Sequence, residues 1–91
     1  MDEIDAELTK LIPDYIEARR RDVVALRAHL ADHRLEDIRR IAHRMKGTGA
    51  TYGLAEVTRL GDALETAAQS ADEPAVGTLI DELDETLRRL Q

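Results

Sequence analysis

Apolar residues recur every three or four positions along almost the whole chain, the period of an amphipathic helix. Ile4, Leu8, Leu11 and Ile12 predict a short leading helix over about 4–11. Across Pro13, the stripe Ile12, Ile16, Val23, Leu26 and Leu30 predicts a helix over about 14–31, interrupted on its apolar side by Arg19. Asp32-His33-Arg34 is a polar break. Leu35, Ile38, Ala42, Met45, Gly49 and Tyr52 then form a regular stripe that predicts a helix over about 34–52, and Gly53 suits a left-handed cap at its end. Leu54, Val57, Leu60, Leu64, Ala67 and Ala71 predict a third helix over about 55–70. After a second break, Asp72 is the candidate N-cap and Pro74 falls in the first turn. Val76, Leu79, Ile80, Leu83, Leu87 and Leu90 carry the fourth helix, about 73–90, with Arg88 and Arg89 complementing the helix dipole in its last turn. No window shows the β-branched alternation of a strand. Four amphipathic helices on short connections predict an all-α protein, an antiparallel up-down-up-down four-helix bundle, with the leading helix as an extra N-terminal element.

Ninety-one residues allow one domain. Two tyrosines are the only aromatic residues, so the core must be aliphatic and base stacking on single-stranded nucleic acid is excluded as a main activity. A net charge of −6 opposes general affinity for phosphate backbones, so no nucleic-acid partner is expected. There is no cysteine, hence no disulfide and no thiolate metal site. No segment approaches the run of about 18 apolar residues needed for a membrane span, and the acidic N-terminus lacks the basic and apolar regions of a signal peptide. The expectation is a cytoplasmic monomer. The charge is unevenly spread: Arg19 to Lys46 holds nine basic against four acidic residues, +5, which leaves −11 elsewhere. An acidic partner surface would be steered toward that basic segment, although long charged side chains also simply solvate helix faces.

Inside it, the second predicted helix carries His43, Lys46, Gly47 and Gly49. Glycine in a helix interior costs about 1 kcal/mol against alanine, so stability is given up beside an imidazole. At 100° per residue His43 lies roughly 140° from the centre of the apolar stripe and faces solvent. Its face-mates are Glu36, Arg39, Arg40, Gly47 and Ala50. Side chains lean toward the helix N-terminus, so the surface over Gly47 is open next to the ring. A neutral exposed imidazole offers a nucleophilic nitrogen, and a phosphoryl group on it would gain compensation from Lys46, Arg39 and Arg40.

The run His43, Arg44, Met45, Lys46, Gly47, Thr48, followed by Tyr52-Gly53, resembles the motif of the histidine phosphotransfer (HPt) domain of phosphorelays. Met45 stands where leucine is commoner, a volume-conserving exchange. The resemblance implies that His43 accepts the phosphoryl group, that Lys46 supports its oxygens, that Gly47 clears room for the partner and that Gly53 ends the helix. Glu36, Arg39, Arg40 and Ala50 would complete the docking face. It implies a carrier without an ATP site, and as partners a response-regulator receiver domain or a hybrid sensor histidine kinase. No cofactor is expected on this chain, because the receiver brings its own magnesium ion. In the dimerising helix of a sensor kinase an acidic residue typically follows the histidine and a proline lies a few residues on; Arg44, and the lack of proline between His43 and Gly53, argue against that relative.

Three other readings compete. His29 and His33, spaced i, i+4, could share a metal ion, but no third ligand has matching spacing, so no metal site is expected. A helical bundle could bind a receiver or kinase without phosphotransfer, which the retained His43, Lys46 and Gly47 set speaks against. Arg19-Arg20-Arg21 could form a nucleic-acid patch, a weaker reading than a solvated helix face.

Overall fold

The computed structural model describes residues 3–90, with the side chains of 3–6 and 8 excepted. Four helices follow in order: α1 (Glu3–Ala31), α2 (Leu35–Gly49), α3 (Ala55–Gln69) and α4 (Glu73–Arg89), with a 3-10 turn, Ala50–Tyr52, closing α2. Each packs on its neighbours in sequence and α1 closes the ring against α4, the tightest association being α2 with α3. Contacts at opposite ends of each pair fix the directions. On α1 and α2, Tyr15 meets Thr48 while His29 faces Asp37; on α1 and α4, Arg27 pairs with Asp81 while Ile12, Pro13 and Ile16 meet Leu90. The bundle is antiparallel throughout, as short loops require.

All three connections are one device. His33, Gly53 and Ala71 each take a left-handed conformation, with φ of 58°, 72° and 55°. In each case the next amide donates five residues back: Arg34 to His29, Leu54 to Gly49, Asp72 to Ala67, at 2.8–3.0 Å. These are Schellman turns, which satisfy the carbonyls left unpaired at a helix end. The residue after each turn is the N-cap of the next helix. Asp72 fulfils that role with its side chain, accepting from the Ala75 amide at 3.1 Å. Ala71 therefore serves the turn and is exposed, rather than extending the α3 stripe.

The separate leading helix does not form. α1 runs unbroken through Pro13. Proline removes one backbone donor but keeps a helical φ, and Ile12 and Ile16 on either side of it both pack on the core, which holds the helix continuous. Ile4 and Leu8 lie outside the described side chains, Leu11 is exposed and Ile12 packs on the core. Because α4 finishes beside Ile12 and Ile16, the turns of α1 before them extend beyond the bundle.

The core is largely the aliphatic set expected, centred on Leu26, Ile38, Met45, Leu60, Leu64, Ile80, Leu83 and Leu87. One aromatic joins it. Tyr15 is buried, stacks on Tyr52 with ring centroids 4.3 Å apart and shares a 2.7 Å hydrogen bond with the Thr48 hydroxyl. Arg19, the interruption in the α1 stripe, lays its guanidinium over the Tyr15 ring at 4.5 Å and pairs with Asp22 at 2.7 Å, so it lies on the apolar side without an unpaired charge.

Two buried glycines let α2 and α3 approach. A Cβ on Gly61 would lie 2.6 Å from the Lys46 amide nitrogen and 3.0 Å from the Ala42 carbonyl oxygen, and one on Gly49 would overlap Thr58. This close approach brings polar groups of the two helices into register beside Lys46.

Candidate functional site

His43 projects from the middle of α2 and its side chain is 66% exposed, as its angular position predicts. Its Nδ1 lies 2.7 Å from Oε2 of Glu65 on α3. Glu65 is one of the few polar residues in the core, 8% exposed. An ionised carboxylate in such a place is sustained only by cations and donors around it. Three converge: His43, Lys46 with Nζ 3.5 Å from Oε1, and Arg39 at 4.0 Å from Oε2. A carboxylate only accepts hydrogen bonds, so the Nδ1 hydrogen is donated to Glu65. The neutral ring then presents its lone pair on Nε2.

Lys46 also reaches Asp62 on α3 at 3.2 Å. Asp62, and secondarily Glu65, hold the ammonium pKa above its ordinary value. Arg39 is gripped by Glu36 through two bonds of 3.0 and 2.7 Å, which raises its pKa and lowers that of the Glu36 carboxyl. Gly47 has open space where a Cβ would stand, with nothing within 4 Å, and Ala50 is exposed at the start of the 3-10 turn.

The structure thus joins His43, Lys46 and Arg39 through one carboxylate and leaves Gly47 uncovered beside them. It does not bring Arg40 to the imidazole: Arg40 lies 3.5 Å from Asp37 and 3.8 Å from Glu36. Nor is the basic segment a free positive patch. Antiparallel packing sets it against acidic α3 and α4, so Lys46 pairs with Asp62 and Arg27 with Asp81 and Asp84. Among the described residues of that segment only Arg20, Arg21 and Arg44 form no ion pair, and exposed Arg44 adjoins His43. His29 and His33 turn to different carboxylates, Asp37 at 4.0 Å and Glu73 at 2.7 Å. No three metal-ligating side chains among the described residues are grouped to hold an ion.

Glu65, Asp62 and Gly61 escape the sequence reading. A signal was there: Val57, Gly61 and Glu65 follow one another at i, i+4, so a glycine and a carboxylate share a line with the α3 core stripe.

The family model of the Hpt domain matches residues 10–91, from within α1 to the end of the chain. The chain belongs to the Hpt domain family. Hpt domains are helical bundles that act as phosphocarriers, and membership places this protein in phosphorelay signalling, among response-regulator and kinase components. No curated protein and no solved structure matches the chain. Among its described residues no helix is long and apolar enough to cross a membrane.

Proposed function

We propose that this Hpt domain is a reversible phosphoryl carrier in which His43 takes the group from a phosphorylated aspartate of a receiver domain and returns it to another. The observation that carries the reading is the 2.7 Å contact of Nδ1 with buried Glu65. It fixes the ring and directs the lone pair on Nε2 to solvent, as a buried carboxylate does for a histidine base. As the N–P bond forms, the O–P bond of the aspartyl phosphate breaks and its electrons return to the carboxylate. The ring becomes an imidazolium that keeps its Nδ1 proton, and the adjacent Glu65 charge stabilises it.

Phosphoryl transfer passes through a loose transition state that needs positioning and charge neutralisation more than covalent assistance. Lys46 supplies a mobile cation for the phosphoryl oxygens. The receiver supplies the magnesium ion and the in-line aspartate, so the carrier itself needs no cofactor. Gly47, Ala50 and Arg44 give the partner a low surface whose cation, Arg44, forms no ion pair among the described residues; Glu36, Arg39 and Arg40 form its paired border. A receiver or hybrid kinase presents its aspartate in the cytoplasm, and a site built wholly from α2 and α3 of one chain needs no second copy, so the carrier works there as a monomer. A non-catalytic interaction module has no use for a histidine oriented by a buried carboxylate, which disfavours that alternative.

Radiolabelled phospho-receivers of the source organism test the reading. Mixing should move label onto the protein in acid-labile, alkali-stable form, and His43→Gln should remove it. Label that persists in His43→Gln refutes the assignment, and label on no variant favours the interaction module.

A further inference from the structure

Lys46 is the cation that the carrier reading sets on the phosphoryl oxygens, yet two carboxylates of α3 already hold it. Glu65 is buried and shared among His43, Lys46 and Arg39. Asp62 differs. It lies one turn earlier, its side chain is 60% exposed and Lys46 is its only ion-pair partner among the described residues. Nothing in the core depends on it.

On the reading that His43 carries the phosphoryl group, we propose that Asp62 is a positioning residue that sets how tightly His43 holds that group. It retains the Lys46 ammonium when the ring is empty and yields it to the phosphoryl oxygens when the ring is loaded. Two effects act in the same direction. The carboxylate competes with the phosphoryl oxygens for one cation, and its negative charge opposes a second anion nearby. Both loosen the phosphoryl group, which a carrier working in both directions requires.

Lys46 is suited to the exchange and Arg39 is not. The ammonium is a point charge on a flexible stem and sits 3.2 Å from a single Asp62 oxygen. Arg39 is fixed to Glu36 by a two-point grip that a new anion displaces less readily. The exposed Lys46–Asp62 pair is weak enough to open for a phosphoryl group. In the transfer Nε2 forms the N–P bond while the donor's P–O or P–N bond breaks and the leaving group takes its electron pair. Lys46 keeps its protons throughout and changes only its partner.

The test uses phosphoramidate, a small donor that needs no receiver, with phosphohistidine occupancy read by phosphorus NMR at a fixed ratio of phosphoramidate to ammonia. Asp62→Asn should raise the ratio of loaded to empty His43 about two- to five-fold, the size expected for losing an exposed ion pair. Asp62→Glu should restore the wild-type ratio. In a Lys46→Gln background Asp62→Asn should raise the ratio by clearly less, since only the direct repulsion between the two anions remains. An unchanged or lowered ratio in Asp62→Asn overturns the proposal, as does an equal increase when Lys46 is absent. Thermal midpoints of the Asp62 variants should fall by no more than a few degrees, because the residue is exposed and makes a single surface ion pair. A wild-type protein that takes no phosphoryl group refutes the carrier reading itself, and the role of Asp62 with it.

Discussion

Adding one methyl group at Gly47 and at Gly61 should have opposite effects, although both glycines lie inside helices of the same hairpin. At Gly47 a Cβ meets nothing within 4 Å and the residue is exposed. Gly47→Ala then gains helix propensity without new contacts, about 0.5–1 kcal/mol. In a domain of this size that raises the thermal midpoint by about 3–6 °C. At Gly61 the same Cβ stands 2.6 Å from the Lys46 amide nitrogen and 3.0 Å from the Lys46 Cα. Ordinary contacts are about 3.5–4.0 Å, so α2 and α3 must separate by roughly 1 Å and lose dispersion along their shared face. The obstacle is backbone, which places the cost at the upper end of the roughly 1–3 kcal/mol seen for overpacking. After the propensity gain, a net loss of about 2 kcal/mol remains. Urea unfolding of the two variants beside wild type should separate them by about 3 kcal/mol with unchanged slopes. Transfer adds a second readout. Gly47→Ala should load normally, Gly47→Gln should block the partner while the fold stays at least as stable, and Gly61→Ala should slow loading because Glu65 moves away from Nδ1. Stability in Gly61→Ala equal to wild type would refute the close helix contact, and a destabilised Gly47→Ala would show that position 47 packs.

Glu65→Gln should slow single-turnover loading of His43 on the order of 10²-fold, since the amide neither stabilises an imidazolium nor enforces the Nδ1 proton; an unchanged rate would separate Glu65 from the chemistry. Ala71→Gly should stabilise the domain by about 0.5–1 kcal/mol, because Ala71 is exposed at φ 55° and left-handed strain exceeds the entropy that glycine adds to the unfolded chain. Calorimetry showing no rise in thermal midpoint would count against strain at that turn.

Much of the fold can be read from spacing alone. The four stripes mark the four helices, and Asp72 with Pro74 marks the start of α4 as the structure has it. Pro13 misleads because a proline's cost to a helix is local, and the packing of Ile12 and Ile16 on the core outweighs it. Ala71 misleads differently, since alanine does not prefer the left-handed conformation it adopts. Of the site, the exposure of His43 and the openness at Gly47 follow from the angle around a single helix. Glu65 and Asp62 belong to another helix, and their register against α2 depends on how near the two axes come. That distance is set at Gly61 and Gly49, whose effect depends on what faces them.

The His43, Lys46, Glu65 and Asp62 side chains all belong to one helical hairpin, α2 with α3, whose axes are locked at Gly61. α1 and α4 lend that hairpin its core, but no side chain of the network comes from them. Loosening the projecting end of α1 should leave the hairpin's geometry intact. Substitutions on the outer surface of α1 can accordingly accumulate while the chemistry and the docking face on the α2–α3 hairpin stay as they are.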